Sequence, residues 1–499
     1  MGFDSKPLDQ LLRGAGLPAA AGDGKLSITG LTDDSREVTP GGLFVAVRGQ
    51  AADGHRFIPE AVRRGAAAVV LESGAPVPGQ VRSIVVPDSR PVLARLAAGF
   101  FGGCGSGLRI VGVTGTNGKT TVTWMIEHLL SAAGVSCGVI GSIGVRWSAV
   151  REGSGNTTPG AVTLHRLFSR MRADRVAACA MEVSSHALDQ QRTAGIPWAA
   201  AVFTNLTADH LDYHKTREAY GAAKRRLFEE LPAGAAAVIN REDPAWESFR
   251  EAARRSDGKR PILTYGFGAK ADLTVEQLES SMSGSRGLLK TGAGSHWFDL
   301  PLIGRHNVEN LLAAAAVAIA LKVPLDPGLT GLKQFGGVPG RLEAVRAGQP
   351  FPVFVDYAHT EDSLRRTLEQ LRQAHSGKIL VVFGCGGDRD RTKRAPMGRA
   401  ASEGAERVIL TSDNPRGESP ESIAREVEGG LAEGKTPWKT ILDRRAAIAE
   451  GLREAAGPDW LVLVAGKGHE TTQEIQGRRE PFDDRAVIRE LLAGRVGAG

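Results

Sequence analysis

Residues 108–121 read LRIVGVTGTNGKTT, which gives the local order strand, turn, helix. The run 108–113 is apolar and of strand length, and 115–118 consists of turn formers. Over 120–133 apolar residues then recur at helical spacing. A glycine-rich turn between a strand and a helix directs backbone N–H groups and the positive end of the helix dipole at one point. The stretch therefore predicts a phosphate-binding loop.

Within this loop, Lys119 is placed to reach the terminal phosphates, and Thr120 or Thr121 to offer a hydroxyl to Mg²⁺. The general pattern G-x-x-x-x-G-K-[ST] requires its first glycine at Val113, whereas the glycine stands one residue earlier, at Gly112. GKT alone would also fit a plain turn. The complete string GTNGKT is narrower and resembles the ATP loop of the Mur ligases and of the folylpolyglutamate synthases. That resemblance implies ATP binding by Gly115, Thr116, Asn117, Gly118, Lys119, Thr120 and Thr121.

Length and composition indicate a soluble enzyme-sized protein of several domains. A chain of 499 residues should hold two to four domains, and 42% hydrophobic with 24% charged residues is ordinary for a globular protein. The longest apolar run, 311–321, is too short to cross a bilayer, and the N-terminus has no apolar signal core. The four cysteines are far apart, which favours neither a disulfide framework nor a zinc site. We therefore expect a cytoplasmic protein.

The net charge of +6 raises the question of nucleic-acid binding. Lysine and arginine are spread along the chain rather than gathered in a run, and aromatic residues make up only 5%. Small polyanionic substrates explain this balance at least as well. We expect no nucleic-acid or membrane partner, and a monomer.

Strand-length apolar segments alternate with helical patterns along most of the chain, which predicts α/β domains with mainly parallel sheets. We expect a small N-terminal α/β domain (1–107), a central P-loop ATPase domain (108–337) and a Rossmann-like C-terminal domain (338–499). Ligands then gather at the carboxyl ends of the strands. The predicted strands are 43–47, 67–71, 177–181, 199–203, 235–239, 261–265, 351–355, 379–383, 408–410 and 461–464, and the predicted helices are 58–64, 162–172, 216–230, 363–375, 420–431, 444–455 and 484–492.

The N-terminal segment DSREVTPGGLFVAVRG (34–49) is locally a turn followed by a buried strand. The residues alone do not identify a ligand, and Ser35-Arg36 would also fit a solvated turn. The string resembles the uridine-nucleotide-binding domain of Mur ligases that attach the third residue of the peptide. The resemblance implies contacts with the uridine diphosphate from Ser35, Gly49, Gln50 and Ala51.

Three polar clusters follow predicted strands of the central domain: NTTP (156–159), EVSSH (182–186) and NLTADHLDYH (205–214). His210 and His214 stand four residues apart, a spacing that sometimes binds zinc, but no glutamate follows the first and no cysteine is near. A pair of loop histidines is the alternative. Lys224, judged by its own residue type and spacing, is one more cation on an exposed helix face.

The resemblance gives these clusters specific roles, since MEVSSH, NLTxDHLDYH and K-x-x-L-F are Mur ligase strings. It implies two Mg²⁺ ions, with Thr120, Glu182, His210 and a carbamylated Lys224 as ligands, and a catalytic set of Lys119, Glu182, His210 and Lys224. Histidine is an unusual Mg²⁺ ligand on general grounds, so His210 depends on the resemblance alone. The residues implied to bind the UDP-linked substrate here are Asn156, Thr157, Thr158, Ser184, Gln190 and Arg192.

Further resemblances extend the ATP site into the C-terminal half. The string GRHNVEN (304–310) implies adenine contacts from Asn307 and Asn310, although capping of the following apolar helix is a competing explanation. PGRLE (339–343) adds Arg341, and DYAHT (356–360) gives Asp356 a position facing the ribose. Glu361 departs from the family pattern, which commonly has proline there.

DNPR (413–416) is the string that bears on the amino-acid substrate. In similar enzymes it is found in those that add meso-diaminopimelate rather than lysine. An arginine fork holds a second carboxylate through two parallel charged hydrogen bonds, which lysine could not use. A plain Asx-Pro turn is the alternative. The implied contacts are Arg389 and Arg416 for the distal carboxylate, Gly466 and Glu470 of AGKGHE for the distal ammonium, and Asp413, Asn414 and Pro415 beside them.

The resemblance covers essentially the whole chain. It implies an ATP-dependent ligase that joins meso-diaminopimelate to the D-glutamate γ-carboxylate of UDP-N-acetylmuramoyl-L-Ala-D-Glu through an acyl phosphate, in peptidoglycan precursor synthesis. Closure of the C-terminal domain about residues 336–340 would protect that intermediate from water. The alternatives are a folylpolyglutamate synthase-like ligase, the same ligase using L-lysine, and an ATP-gated regulatory protein with an inactive site.

Overall fold

The computed structural model describes residues 4–49, 52–72, 74–79, 81–102, 107–207, 209–455 and 457–496. These residues form three α/β groups that follow one another along the chain, each with its own sheet and core. The predicted three-domain α/β fold is confirmed. None of the helices in the described ranges combines the length and apolar character that a bilayer crossing requires.

The N-terminal domain is built on a four-stranded parallel sheet of order β3-β4-β5-β6. Helices on both faces cover it, and its core is mostly aliphatic, with Phe44, Phe100 and Phe101 added. Its strands are β1 (Lys6–Pro7), β2 (Ser27–Ile28), β3 (Leu31–Thr32), β4 (Leu43–Val45), β5 (Ala68–Leu71) and β6 (Arg82–Val85). Its helices are α1 (Leu8–Gly14), α2 (Ile58–Arg63) and α3 (Ser89–Phe100).

The central domain has an eight-stranded sheet of order β10-β9-β8-β11-β7-β12-β13-β14, parallel except at β9 and β10, and a separate antiparallel sheet β15-β16-β17. The strands are β7 (Arg109–Thr114), β8 (Cys137–Gly141), β9 (Gly144–Trp147), β10 (Val150–Glu152), β11 (Ala178–Glu182), β12 (Trp198–Phe203), β13 (Ala236–Asn240), β14 (Ile262–Tyr265), β15 (Thr274–Ser281), β16 (Gly284–Thr291) and β17 (Gly294–Leu300). The helices are α4 (Lys119–Ala132), α5 (Ala161–Ala173), α6 (Ser185–Asp189), α7 (Leu211–His214), α8 (Arg217–Glu229), α9 (Trp246–Ser256), α10 (Arg305–Ala320) and α11 (Leu325–Gly331).

Strand β7 lies near the middle of this sheet, with a helical layer on each side. On one face α4 packs against α10, whose run of alanines lets the two helices approach closely. On the other face the aromatic side chains of Trp198, Phe203 and Phe249 fill the core beneath α8 and α9. Because β7, β11 and β12 are parallel neighbours, their carboxyl ends open at one edge of the sheet. The segments with the predicted site residues begin at that edge.

The C-terminal domain has a six-stranded sheet of order β18-β19-β23-β20-β21-β22, in which only β18 is antiparallel. Its strands are β18 (Glu343–Ala344), β19 (Val353–Asp356), β20 (Lys378–Phe383), β21 (Arg407–Leu410), β22 (Trp438–Thr440) and β23 (Trp460–Ala465), and a hairpin adds β24 (Thr472–Ile475) and β25 (Arg478–Pro481). Its helices are α12 (Glu361–Ala374), α13 (Arg394–Gly404), α14 (Pro420–Leu431), α15 (Arg444–Glu454) and α16 (Asp484–Val496).

The predicted strands and helices are present, and most of their ends differ by one or two residues. At Glu361 the departure from the family pattern leaves the start of α12 intact. Thr360 caps this helix in a reciprocal capping box with Ser363, and Glu361 occupies the first helical position, where proline is also well tolerated. The antiparallel strands β15, β16 and β17 were not predicted from the sequence, because serine and glycine interrupt their alternation of polar and apolar residues.

Adjacent aromatic residues on β17 offer a test of this fold. Phe298 is 3% exposed in the core, on a strand that packs against α11, whereas Trp297 on the opposite face is 62% exposed. Phe298→Ala should lower the free energy of unfolding by about 3–5 kcal/mol, and the matched Trp297→Ala by less than about 0.5 kcal/mol. Chemical denaturation followed by circular dichroism measures both. Equal losses for the two variants would contradict the face assignment of β17.

Candidate active site

The phosphate loop lies between β7 and α4, and two of its glycines are required by its shape. Gly115 has φ +150° and Gly118, the residue before α4, has φ +85°. A Cβ on Gly115 would overlap the Thr204 hydroxyl. Gly112, which is out of register with the general motif, serves packing instead, since a Cβ there would lie 2.9 Å from the Trp198 ring. The deviation from the motif therefore has a structural cause outside the loop.

The end of β12 holds the loop in place. The Thr204 hydroxyl donates to the Asn117 carbonyl (2.6 Å), and the backbone N–H of Asn117 donates to Asn205 Oδ1 (2.9 Å). The Thr116 N–H donates to the Asn205 carbonyl (2.8 Å). Thr204 and Asn205 are thus part of the site. Asn205 opens the NLTADHLDYH string but was not predicted to hold the loop, and Thr204, one residue earlier, lies outside that string.

Two lysines, one buried and one half-buried, meet on one carbonyl of the loop. Lys119 Nζ donates to the carbonyl oxygens of Gly115 (2.9 Å) and Thr116 (2.8 Å), and Lys224 Nζ donates to the Gly115 carbonyl (2.8 Å). Burial lowers the pKa of both amines, and Lys119 lowers the pKa of Lys224 further by charge repulsion. Glu182 and Asp209 oppose this for Lys119 and favour its charged form. The arrangement favours anions beside the loop.

Lys224 is 1% exposed, so the expectation of an exposed helix face, drawn from spacing alone, is wrong. Helix α8 turns this residue toward the carboxyl edge of the sheet, where its ammonium lies 4.3 Å from the Tyr220 ring centroid. The pattern of one lysine on a polar helix cannot reveal such burial, because it depends on which face of α8 packs on the sheet.

Glu182 is a buried carboxylate whose hydrogen-bond partners are uncharged. It is 1% exposed, and it accepts hydrogen bonds from the backbone N–H (2.8 Å) and hydroxyl (3.2 Å) of Ser142. Its backbone carbonyl accepts a hydrogen bond from Thr158 (2.8 Å). A buried carboxylate of this kind is stabilised by a nearby cation.

His210 lies in the left-handed region (φ +52°) just before α7, with its ring 4.8 Å from that of His186. Burial lowers the pKa of His210 to about 4, which leaves the imidazole neutral near pH 7. His214 is instead bonded to Ser185 (2.9 Å). Within the described ranges, no three His, Cys, Asp or Glu side chains are grouped so that they could hold a metal ion by themselves.

A cavity of about 310 Å³ lies between the central and C-terminal domains, directly against the phosphate loop. Two contacts close it: the Arg341 guanidinium donates to the Thr120 hydroxyl (3.3 Å), and Asn117 Nδ2 donates to Asp362 on α12 (3.1 Å). Asp362 was not predicted from the sequence. Of the residues predicted to bind ATP, those that line the cavity are Asn117, Gly118, Thr121, Asn307, Asn310, Arg341 and Asp356.

A second cavity, of about 880 Å³, lies between the N-terminal and central domains. Of the predicted contacts with the UDP-linked substrate, Ser35, Gly49, Asn156, Gln190 and Arg192 line it, whereas Gln50 and Ala51 lie outside the described residues.

Three further residues predicted to bind the UDP-linked substrate lie between this cavity and Glu182. They are Thr157, Thr158 and Ser184. Arg192 donates to the Thr158 carbonyl (2.9 Å), and Thr157 lies 3.0 Å from the Ser142 hydroxyl that contacts Glu182. Ser184 caps α6 by accepting a hydrogen bond from the Ala187 N–H. Hydrogen bonds therefore connect this cavity to the carboxylate beside the loop.

A third cavity, of about 260 Å³, is lined by the C-terminal domain and by Asp209 and His210 of the central domain. Arg416 lies in the left-handed region (φ +51°), and its guanidinium donates to the Gly387 carbonyl (2.8 Å). The Pro415 carbonyl accepts from Glu418 N–H in the turn behind the cavity. The other predicted amino-acid contacts line the cavity: Arg389, Asp413, Asn414, Arg416, Gly466 and Glu470.

The chain matches three family models in order along its length. These are the Mur ligase family, catalytic domain (residues 27–101), the Mur ligase middle domain (residues 113–318) and the Mur ligase, glutamate ligase domain (residues 340–468). The UDP-N-acetylmuramoyl-L-alanyl-D-glutamate--2,6-diaminopimelate ligase of Geobacillus thermodenitrificans (strain NG80-2) is 44% identical over 478 residues, which are 95% of this chain and 96% of that protein.

Solved structures show the same relationship. A structure of a UDP-N-acetylmuramoyl-L-alanyl-D-glutamate--2,6-diaminopimelate ligase aligns with a TM-score of 0.72 and 34% identity over 99% of this chain and 100% of that one. A folylpolyglutamate synthase from Mycobacterium tuberculosis, complexed with ADP and AMPPCP, shares the fold at a TM-score of 0.61 and 20% identity, over 80% of this chain and 93% of that one. By its family models and its 44% identical relative, the chain belongs to the Mur ligase family.

Proposed function

We propose that this chain is the ATP-dependent, ADP-forming ligase that joins meso-diaminopimelate to the D-glutamate γ-carboxylate of UDP-N-acetylmuramoyl-L-Ala-D-Glu. The observation that carries the proposal is the connection of three separate cavities to one loop, on which the amines of Lys119 and Lys224 meet. The nucleotide cavity touches the loop directly, the N-terminal cavity reaches it through Arg192 and Glu182, and the C-terminal cavity reaches it through Asp209 and His210. A reaction of three substrates needs such a junction.

The chemistry that fits this junction is carboxylate activation. The γ-phosphoryl group of ATP passes to an oxygen of the glutamate γ-carboxylate and ADP leaves, which gives an acyl phosphate. The amine of diaminopimelate attacks the acyl carbon, loses a proton, and expels phosphate to leave an amide. Two anions must approach each other in the first step, and the Lys119 ammonium offsets their repulsion and stabilises the transferring phosphoryl group.

Mg²⁺ fits the residues around the loop. Magnesium in nucleotide sites takes one or two carboxylates together with phosphate oxygens, and Glu182 is a buried carboxylate with only neutral hydrogen-bond donors. Thr120 would add a hydroxyl, and His210 a neutral ring nitrogen. When bound, the ion supplies Lewis-acid polarisation of the phosphates.

Lys224 fits carbamylation, in which its neutral amine adds to CO₂ and releases a proton to give a carbamate. Burial and the neighbouring Lys119 both lower the pKa of Lys224, so they favour the uncharged amine that this addition requires. The product is an anion beside the Lys119 cation, so an electrostatic attraction stabilises it. It would also provide a further oxygen ligand for a metal.

The third cavity supports a substrate with two charged ends. Arg389 and Arg416 face it as cations, and Asp413 and Glu470 face it as carboxylates. The distal end of diaminopimelate carries one carboxylate and one ammonium, so it pairs with both kinds of group, whereas lysine would leave the arginines unpaired. A folate-dependent ligase does not need this set of charges. We also place the enzyme in the cytoplasm, as a monomer.

The shape of the loop predicts a defect in ATP binding. Gly115→Ala should weaken ATP binding at least 100-fold, because the new methyl group collides with Thr204 and displaces the loop. Titration calorimetry with a non-hydrolysable ATP analogue measures this. The matched control is Gly134→Ala, which also has a positive φ (+80°) but has no neighbour within 4 Å of its Cβ. Wild-type affinity in Gly115→Ala would exclude this loop as the ATP site.

The substrate assignment predicts phosphate release that depends on the amine offered. With UDP-muramoyl-dipeptide, ATP and Mg²⁺, the wild type should turn over with meso-diaminopimelate in clear preference to L-lysine. Arg416→Ala should lower kcat/KM for diaminopimelate by an amount equivalent to about 2–3 kcal/mol, because a charged hydrogen-bond donor is lost. Arg399→Ala, which removes a surface ion pair with Glu433 in the same domain, is the control.

Three results would count against this assignment. Faster turnover with lysine would make the chain a lysine-adding ligase. Phosphate release with a folate substrate would favour the folylpolyglutamate synthase alternative. No phosphate release with any amine would favour an inactive regulatory protein.

The role proposed for Lys224 predicts chemical rescue. Lys224→Ala should lower kcat more than about 1,000-fold with little change in the KM for ATP, and added short-chain carboxylates should restore part of the rate by replacing the carbamate. Lys215→Ala on the neighbouring exposed segment should behave as wild type. A Lys224→Ala variant with full activity, or one whose rate is unaffected by carboxylates, would argue against a carbamate.

A further inference from the structure

Behind the third cavity lies a buried lysine that no motif assignment includes. Lys467, in the AGKGHE string, is 1% exposed. Its ammonium donates to Asn414 Oδ1 (3.2 Å), Glu470 Oε2 (3.3 Å) and the Thr472 carbonyl (2.7 Å). An ammonium has three N–H bonds, so each is used by a protein acceptor. Lys467 is therefore fully engaged within the protein and does not contact a substrate.

The contact with Asn414 determines which side of its amide faces the cavity. Asn414 Oδ1 accepts from Lys467 and also from the backbone N–H of Glu474 (2.9 Å), which uses both of its lone pairs. The amide nitrogen donates to Glu470 Oε2 (2.7 Å) and keeps a second N–H. Rotating the amide would turn its N–H groups toward the ammonium and the Glu474 N–H. Lys467 thus fixes a hydrogen-bond donor on the cavity side.

That donor distinguishes between two kinds of substrate end. A carboxylate accepts a hydrogen bond from the Asn414 amide nitrogen, whereas an ammonium can only donate and finds no acceptor there. The Lys467 cation also offsets the charge of Glu470, which weakens the attraction of that carboxylate for a lone ammonium. Both effects favour an end that has a carboxylate beside its ammonium.

We propose that Lys467 is a positioning residue that sets selectivity for diaminopimelate over lysine, by fixing the orientation of the Asn414 amide and offsetting Glu470. The inference rests on the function proposed above. It adds to that function a residue outside the cavity that determines which amine is accepted.

The test is Lys467→Met, which keeps the length of the side chain and removes its charge and donors. The KM for diaminopimelate should rise at least tenfold, while kcat at saturation stays within about threefold and the KM values for ATP and UDP-muramoyl-dipeptide stay within twofold. The ratio of kcat/KM for diaminopimelate to that for lysine should fall at least tenfold. Lys439→Met, which removes a lysine paired with Glu450 and Glu454 in the same domain, should leave all these values unchanged.

A merely structural role would lower the rates with both amines by the same factor, and that result would overturn the proposal. An unchanged KM for diaminopimelate would do the same. If neither the wild type nor Lys467→Met uses lysine measurably, the diaminopimelate kinetics decide. A higher KM for diaminopimelate at constant kcat supports the proposal, and a lower kcat alone contradicts it.

A second variant decides the matter if Lys467→Met does not fold. Asn414→Asp keeps the contact with Lys467 but replaces the cavity-side donor with an oxygen. It should reduce use of diaminopimelate at least 100-fold and reduce use of lysine less. Equal effects on the two amines would overturn the proposal. A wild type without diaminopimelate-dependent phosphate release would instead refute the proposed function.

Discussion

The rest of the site depends on two lysine amines that share the carbonyl oxygen of Gly115. Lys119 and Lys224 come from different helices. Lys224 is buried and Lys119 is half-buried, and when both are protonated they place two positive charges side by side without a directly bonded carboxylate among the described residues. This arrangement is unfavourable until anions are bound, because burial removes the water that would screen the two charges. The triphosphate of ATP, and a carbamate on Lys224, are anions of the right kind. Anions beside the loop are therefore stabilised by their interaction with Lys119.

The three domains serve this loop in different ways. The central sheet positions the loop between β7 and α4 and supplies Glu182 from β11 and Thr204 and Asn205 from the end of β12. The C-terminal domain contacts the loop through Arg341 and Asp362, so nucleotide binding and the position of that domain are physically connected. The N-terminal domain lines a cavity of about 880 Å³ together with the central domain, and Arg192 and Thr158 connect this cavity to the backbone carbonyl of Glu182. Each substrate can therefore occupy its own cavity while its reactive end lies near the loop.

Much of this was predictable from the sequence, because the fold is repetitive and the motifs are local. The alternation of apolar strands and amphipathic helices predicts an α/β fold. The polar residues that follow the parallel strands predict the position of the site. Residues that act through tertiary contacts were not predictable. No sequence motif indicates the roles of Thr204, Asp362 and Lys467. The burial of Lys224 depends on how helix α8 packs on the sheet, which residue spacing does not show. The antiparallel sheet β15-β16-β17 was missed because its polar, glycine-containing strands give a weak periodic signal.

Transfer of the γ-phosphoryl group of ATP to the D-glutamate γ-carboxylate, before the amine reacts, is tested most directly by isotope transfer. The substrate would be UDP-muramoyl-dipeptide with ¹⁸O in the γ-carboxylate of its D-glutamate, and the phosphate released during turnover would be analysed by mass spectrometry. Formation and breakdown of an acyl phosphate moves one carboxylate oxygen into each phosphate, so the account predicts one ¹⁸O per phosphate released. Phosphate without the label, from an enzyme that makes the amide, would contradict it.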